Sequence, residues 1–170
     1  MSAPDTPPPE LSARLLAIYI SQGHDYWGKQ GEGRLQHGIR SVSEVECVAG
    51  KGLRGDRYFA YKPDFKGQVT FFSQEIFDEV RSHFKLPKLP ASVFRRNLVV
   101  EGADLSKWMG RRFRFQGMEF EGSQECKPCD WMNRVIAPGG EDFLKGKFRG
   151  GLRAKVMTSG VLRVESGTKG

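Results

Sequence analysis

The chain has too little cysteine to be held together by disulfides. Its 170 residues contain only Cys47, Cys126 and Cys129, which cannot all pair within one molecule. No apolar signal segment opens the sequence, so a reducing, cytoplasmic setting is expected. No apolar run approaches the roughly 18 residues needed to cross a bilayer, and no membrane association is expected. The chain also lacks basic tails and any helix-turn-helix, zinc-finger or RNA-recognition signature. Despite a net charge of +7, nucleic acid is therefore not the expected partner. Paired carboxylates, a nucleophilic-serine motif, a phosphate-binding P-loop and internal repeats are absent as well.

What is present suits a strand-rich domain. The 21 glycines punctuate short apolar segments, and the 12 Phe and 3 Trp are enough for a genuine core. Residues 1–10 hold four prolines and read as a flexible tail, leaving 11–170 as a single domain. Strands are expected at 14–20, 42–48, 68–72 and 97–100, and a long glycine-rich loop at 23–39. Ser73 can cap a helix whose apolar face carries Ile76, Phe77, Val80 and Phe84, stopped by Pro87 and Pro90. Asp104 can cap a short turn through Trp108. Segments 112–115 and 118–120 flank Gln116-Gly117 as a hairpin. A helix is expected over 131–136, ended by Pro138-Gly139-Gly140, and a closing hairpin over 153–164 turning near Ser159-Gly160. Seven or eight strands with a few short helices make the fold mainly β (α+β), drawn as a compact barrel.

The chemistry concentrates in Glu125-Cys126-Lys127-Pro128-Cys129-Asp130. A cysteine at a helix start faces the positive end of the backbone dipole, which favours thiolate, and Lys127 acts the same way. Such a thiolate can attack sulfur compounds, carry a persulfide or bind a soft metal. Basic residues cluster in glycine-bearing loops at 51–57, 95–96 and 145–153. Glycine lets backbone approach a ligand and arginine offers a forked donor, so a small phosphorylated ligand suits these loops. The plainer reading is that these arginines decorate a soluble surface.

The order Gly-Leu-Arg-Gly-Asp-Arg (52–57), Gln-Val-Thr-Phe-Phe-Ser (68–73), Arg-Arg-Asn-Leu-Val-Val-Glu-Gly (95–102), Gly-Arg-Arg-Phe-Arg-Phe (110–115), Pro-Cys (128–129) and Arg-Gly-Gly-Leu-Arg-Ala-Lys-Val (149–156) resembles the MOSC domain, the C-terminal domain of molybdenum cofactor sulfurases. The resemblance spans 14–167 and implies a strand-rich barrel around a reactive cysteine. Some members are thought to take sulfur from a PLP-dependent cysteine desulfurase. Others, the amidoxime reducing component among them, hold a pyranopterin molybdenum cofactor and reduce N-hydroxylated compounds. The resemblance makes Cys129 the reactive or molybdenum-ligating residue. It places Arg54, Asp56, Arg57, Ser73, Arg96, Asn97, Arg149 and Arg153 as cofactor-binding candidates. Relatives often carry Arg-Pro-Asn where this chain has Arg95-Arg96-Asn97, which leaves open which arginine faces inward. The implied partners are a small N-oxygenated substrate and either an electron-donor reductase or the desulfurase.

Other readings stand beside these. Cys126 and Cys129 have dithiol spacing, but the strand–helix alternation of a thioredoxin-like domain is missing. A zinc site would need ligands from His24, His37, His83 or Cys47, which are scattered, so no zinc is expected. Cys47 reads as a buried strand residue. Trp131, Phe148 and Tyr58 either line a flat slot or belong to the core. Asp56 either orients an arginine or closes a turn, and Glu125, which would oppose thiolate formation, is expected to point away.

Overall fold

A computed structural model describes residues 6–22 and 38–165. The expected loop at 23–39 falls almost wholly outside these residues, as do His24 and His37. Among the described residues the fold is mainly β with three helices, in agreement with the α+β expectation. Ten strands form: β1 (Arg14–Ile20), β2 (Arg40–Val42), β3 (Glu44–Val48), β4 (Gly52–Leu53), β5 (Val69–Ser73), β6 (Leu98–Glu101), β7 (Arg112–Phe115), β8 (Met118–Glu125), β9 (Leu152–Val156) and β10 (Gly160–Arg163). The helices are α1 (Gln74–His83), α2 (Asp130–Val135) and α3 (Gly140–Leu144).

Seven strands lie in one sheet, ordered β2-β1-β6-β5-β9-β8-β7, and three in a second, ordered β10-β3-β4. Only the β5–β6 pair in the larger sheet is parallel. Among the described residues the larger sheet does not close into a barrel. Its edge strand β7 is instead flanked by the chain just before β1. Leu11 N–H donates to Arg114 O at 2.7 Å and Arg114 N–H to Pro9 O at 2.9 Å. Pro9 and Glu10, at the end of the segment read as a tail, pair with Arg114 of β7. The unpaired edge of β7 supplies the backbone partners that composition alone conceals.

β5 is buried along its whole length and separates two cores. Phe71 faces a core with edge-on contacts to Phe113, Phe115 and Phe120. Phe72, pointing the other way by strand alternation, enters a second core with Phe77, Val80, Phe94, Trp131, Met132 and Leu144. The helices cover that second face. Ser73 ends β5 and caps α1, its Oγ accepting from Ile76 N–H at 3.3 Å. The hairpin forms as expected, with Gln116 and Gly117 both at positive φ (50° and 80°), as a type I′ turn demands.

The expected closing hairpin does not form. β10 pairs with β3, not with β9. Met157 N–H donates to Glu119 O at 2.9 Å and Glu119 N–H to Thr158 Oγ1 at 2.8 Å, which turns the chain away from β9. Ser159 Oγ then accepts from Ala49 N–H at 2.9 Å and delivers β10 to the smaller sheet. The expected strand at 42–48 likewise splits at Ser43 into β2 and β3, one in each sheet. Neither α3 nor the 3-10 turn at Ala91–Phe94 was expected from the sequence.

Asn97 holds the entrance to the central strands. Its Oδ1 accepts from Thr70 N–H at 3.0 Å and from Thr70 Oγ1 at 3.1 Å, and its Nδ2 donates to Tyr19 O at 3.1 Å. Both Asn97 and Thr70 are buried. Asn97→Ala should leave those three groups without their partner and destabilise the protein by roughly 3 kcal/mol or more. A denaturant midpoint unchanged from wild type would refute this account of the junction.

Candidate functional site

The segment holding Cys126 and Cys129 leaves β8 and enters α2. Cys129 occupies the position before α2 with extended backbone, and its carbonyl accepts from Met132 N–H at 2.9 Å. Its side chain caps nothing and is exposed, whereas Cys126 is buried. Two contacts fix the segment from below. Cys126 N–H donates to Gly151 O at 2.8 Å. Gly150 passes so close that a Cβ there would sit 2.0 Å from Cys126 O and 3.1 Å from Pro128 Cδ. That approach is a physical reason for glycine at position 150 in the Arg-Gly-Gly-Leu-Arg stretch. On the other side Trp131 Nε1 donates to Val93 O at 2.8 Å and joins α2 to the 3-10 turn.

Beyond that turn Arg95 adopts a left-handed conformation (φ 57°), sparsely populated for a side-chain-bearing residue. The backbone kink brings two consecutive arginines to one place. Arg95 is 8% exposed and its Nη2 donates to Ser21 Oγ at 3.2 Å. Arg96 Nε donates to Gly150 O at 2.8 Å and its Nη1 to Phe94 O at 2.9 Å, so Arg96 locks the glycine turn against the 3-10 turn. The question of which arginine faces inward dissolves, since both line the same cleft.

That cleft, of about 140 Å³, is lined by Cys126, Cys129 and five basic side chains, those of Arg57, Arg95, Arg96, Lys127 and Arg153, with Phe94, Trp131 and Met132 as its apolar wall. No carboxylate lines it. Arg57 is anchored by Asp56 at 4.0 Å, by Arg95 O at 3.4 Å and by the Tyr58 ring 4.8 Å from its guanidinium carbon. Its side chain is 10% exposed, yet its Nε is buried with no hydrogen-bond partner. Arg57 thus lines the cleft with one buried donor that the protein leaves unmatched.

The other candidates from the sequence lie elsewhere. Asp56 is buried and closes the loop after β4, with its carboxylate accepting from Ser21 N–H at 3.0 Å and Tyr58 N–H at 3.3 Å. Burial pushes its carboxyl up, opposed by Arg57 and by these amides. It positions Arg57 and does not line the cleft. Asn97 is structural, as described. Ser73 caps α1. Arg54 is exposed, pairing with Glu46 at 2.6 Å and lying over Phe59. Arg149 donates to Phe143 O at 2.8 Å and pairs with Glu79 at 3.5 Å, bracing α3 against α1. Of the residues expected to bind a cofactor, the fold gathers Arg57, Arg96 and Arg153 around Cys129, and it adds Arg95 and Lys127. Trp131 lines the cleft. Phe148 packs on the Phe71 core and Tyr58 backs Arg57. Glu125 does not line the cleft, and its Oε1 is buried without a partner. Among the described residues no cluster of three or more His, Cys, Asp and Glu is arranged to hold a metal ion, and no helix is long and apolar enough to cross a membrane.

The sequence model of the MOSC domain family matches residues 50–168. Solved structures share the fold, three of them as follows. The YuaD protein from Bacillus subtilis aligns with a TM-score of 0.67 at 18% identity, over 89% of this chain and 91% of that one. YiiM from Geobacillus stearothermophilus gives 0.63 at 18% identity, over 92% and 77%. YiiM from Escherichia coli gives 0.58 at 20% identity, over 86% and 65%. No protein of curated function matches the chain.

The three cysteines should separate cleanly by reactivity. Burial, with a smaller contribution from Glu46, pushes the Cys47 thiol up to about 12. Iodoacetamide near neutral pH should label Cys129 first and leave Cys47 unmodified until the protein unfolds. Peptide mapping that finds Cys47 labelled in the folded protein would contradict this. The same shift has a thermodynamic sign. An unfolded thiol ionises near 9 while the native one holds its proton, so this stabilisation is complete below pH 9 and is lost as pH rises toward 12.

Proposed function

The chain belongs to the MOSC domain family, and from that premise we propose that it holds a pyranopterin molybdenum cofactor through Cys129 and reduces N-hydroxylated compounds. The observation that carries this reading is the exposed Cys129 thiol in a cleft with five basic side chains and no carboxylate. The donor set fits the group. A thiolate is a soft, anionic ligand suited to a metal already held by sulfur, and arginines suit a phosphate-bearing pterin. The orphaned Arg57 Nε supplies a buried donor for which the protein offers no acceptor.

When bound, the cofactor supplies two electrons for cleavage of an N–O bond, so that an N-hydroxylamine, two electrons and two protons give an amine and water. The chain's own residues bind and orient. Cys129 is the protein's metal ligand. Arg57 and Arg96, each fixed by backbone carbonyls, carry the anionic end. Arg153, which makes no ion pair or side-chain hydrogen bond among the described residues, reaches the cleft with its donors unspent. Trp131 and Met132 keep water from one wall.

One observation favours a second reading. The cleft's volume of about 140 Å³ falls below the roughly 300–1,000 Å³ of ordinary small-molecule pockets. A cofactor would extend past the mouth, whereas a persulfide needs room for one added sulfur. In that case the Cys129 thiolate would attack the outer sulfur of a desulfurase persulfide, the donor's thiolate leaving; attack of Cys126, which lines the same cleft, on Cys129 Sγ would then form a Cys126–Cys129 disulfide and release the carried sulfur as hydrosulfide.

Elemental analysis of protein made in cells with an intact cofactor pathway separates the two. Near-stoichiometric molybdenum in wild type, lost in Cys129→Ser and reduced at least about tenfold in Arg153→Met, is the expected result. Metal-free protein with Cys129 heavier by one sulfur in mass spectrometry would replace the reductase reading with the carrier.

A further inference from the structure

Beside the Cys129 cleft lies a second, larger one of about 550 Å³, lined by Lys62, Pro63, Asp64, Phe65, Lys66, Gln124 and Arg153. Arg153 lines both. We propose that the loop at 58–66 together with Arg153 is a binding subsite for a planar aromatic anion, delivered next to Cys129.

Three rings converge in this loop. Tyr61 and Phe65 have centroids 4.9 Å apart, Tyr58 and Phe65 5.2 Å, and Tyr58 and Tyr61 5.7 Å. Tyr61 is nevertheless 54% exposed, so it presents apolar surface that no neighbour covers. A flat ligand can stack there at small entropic cost, because the rings already hold one another in place. The cations are equally selective in arrangement. The loop's carboxylate, Asp64, is taken up by Lys155 at 2.6 Å, which also holds its carboxyl below the usual range. Lys62 and Lys66 have no ion pair among the described residues, and Lys62 sits 5.4 Å from the centre of the Phe65 ring. Positive charge is therefore left over at the rim of an aromatic surface, which matches a ring bearing a phosphate or carboxylate.

The loop is built, not incidental. Ser123 Oγ donates to Lys66 O and also contacts Arg153 O at 3.0 Å, pinning the loop's end to β9. Gly67 lets both groups close in, since a Cβ there would lie 3.3 Å from the Phe65 ring and 3.4 Å from Arg153 Cδ. The ring platform and the shared arginine are thereby held in one register. Such a ligand could be a substrate of that shape and charge or the phosphate-bearing pterin end of a cofactor. The inference rests on the proposed function only for what Cys129 does afterwards. Binding at the platform needs no metal.

The test is a titration of the metal-free full chain with 1-naphthyl phosphate, followed by NMR of the tyrosine and phenylalanine rings. The expected result is saturable binding at least tenfold tighter than inorganic phosphate and tenfold tighter than 1-naphthol. Tyr61→Ala and the double variant Lys62→Ser with Lys66→Ser should each weaken it about tenfold with thermal unfolding unchanged. Equal affinity for inorganic phosphate, or no loss in Tyr61→Ala, would overturn the subsite. So would affinity for single-stranded oligonucleotides that grows with their length, which would assign the surface to nucleic acid. Repeating the titration on molybdenum-loaded protein distinguishes the two sources. Retained binding identifies a substrate subsite, and binding abolished by loading identifies the cofactor's own pterin end. A protein that never takes up molybdenum still decides the metal-free titration, so the two hypotheses fail separately.

Discussion

The fold and the site both depend on a single buried polar junction, that of Asn97 with Thr70. β5 and β6 run parallel, with their ladder beginning at the Phe71–Leu98 pair. One residue earlier there is no ladder to satisfy the backbone, and the Asn97 side chain stands in for it. Asn97 N–H donates to Thr70 Oγ1 at 2.8 Å while its Oδ1 accepts from Thr70, and Tyr19 N–H donates to Asn97 O at 2.7 Å. A fully matched network in a low-dielectric interior is rigid, and its rigidity is inherited by what is attached. What is attached is Arg95-Arg96 on one side and the two Phe-lined cores on the other. The left-handed turn at Arg95 persists because both of its ends are anchored, one in the Phe94 core and one at Asn97.

The same central strands explain why Cys129 is exposed while its neighbours are not. Phe72, Phe94, Trp131 and Met132 form one continuous packed body, so α2 is positioned by apolar contact and not by its own six residues. A helix that short has little intrinsic stability in water. Its first residues are held by Trp131 against Val93 and by the passage of Gly150 under Cys126. Cys126 is consumed in that packing. Cys129, one helical start further on, has nothing to pack against and is left facing the arginines.

Local features were legible in the sequence and long-range ones were not. Ser73 followed by Glu75 and an apolar helical stripe specified the cap of α1 through chemistry confined to a few residues. Gln116-Gly117 specified a hairpin in the same way. By contrast, β9 and β10 are close in sequence and alternate properly, yet nothing in that alternation says whether β10 returns to β9 or crosses to β3. The decision is made by Thr158 and Ser159 bonding to Glu119 and Ala49, which are distant in the chain. The candidate site divides along the same line. Cys129 was readable from its Pro-Cys helix start, and Arg57, Arg96 and Arg153 from motif order. Arg95 was not assignable, because its place in the cleft depends on a positive φ that arginine does not advertise. Arg54, Arg149, Asp56, Asn97 and Ser73 sit in the same motifs but spend their polar groups on the scaffold.

The distribution of charge gives the site its direction. Part of the +7 excess is gathered at the cleft. Several basic side chains on the outer faces are paired: Arg112 with Glu121, Arg163 with Glu44, Arg134 with Asp130 and Lys145 with Glu141. Such exposed pairs contribute little to stability, but each removes a charge from the far field. Around Cys129 the matching stops. Arg96, Lys127 and Arg153, with Lys62 next to them, form no ion pair among the described residues, and Lys66 acts on Asp64 only at longer range. Like charges held this close repel one another, and the partly buried ones among them are poorly screened by salt. The scaffold tolerates that repulsion by fixing the guanidiniums to carbonyl oxygens, those of Phe94, Arg95 and Gly150. An anion placed among these cations would relieve their mutual repulsion. This is the electrostatic ground on which we propose for the cleft a ligand bringing both negative charge and a group able to bond to sulfur.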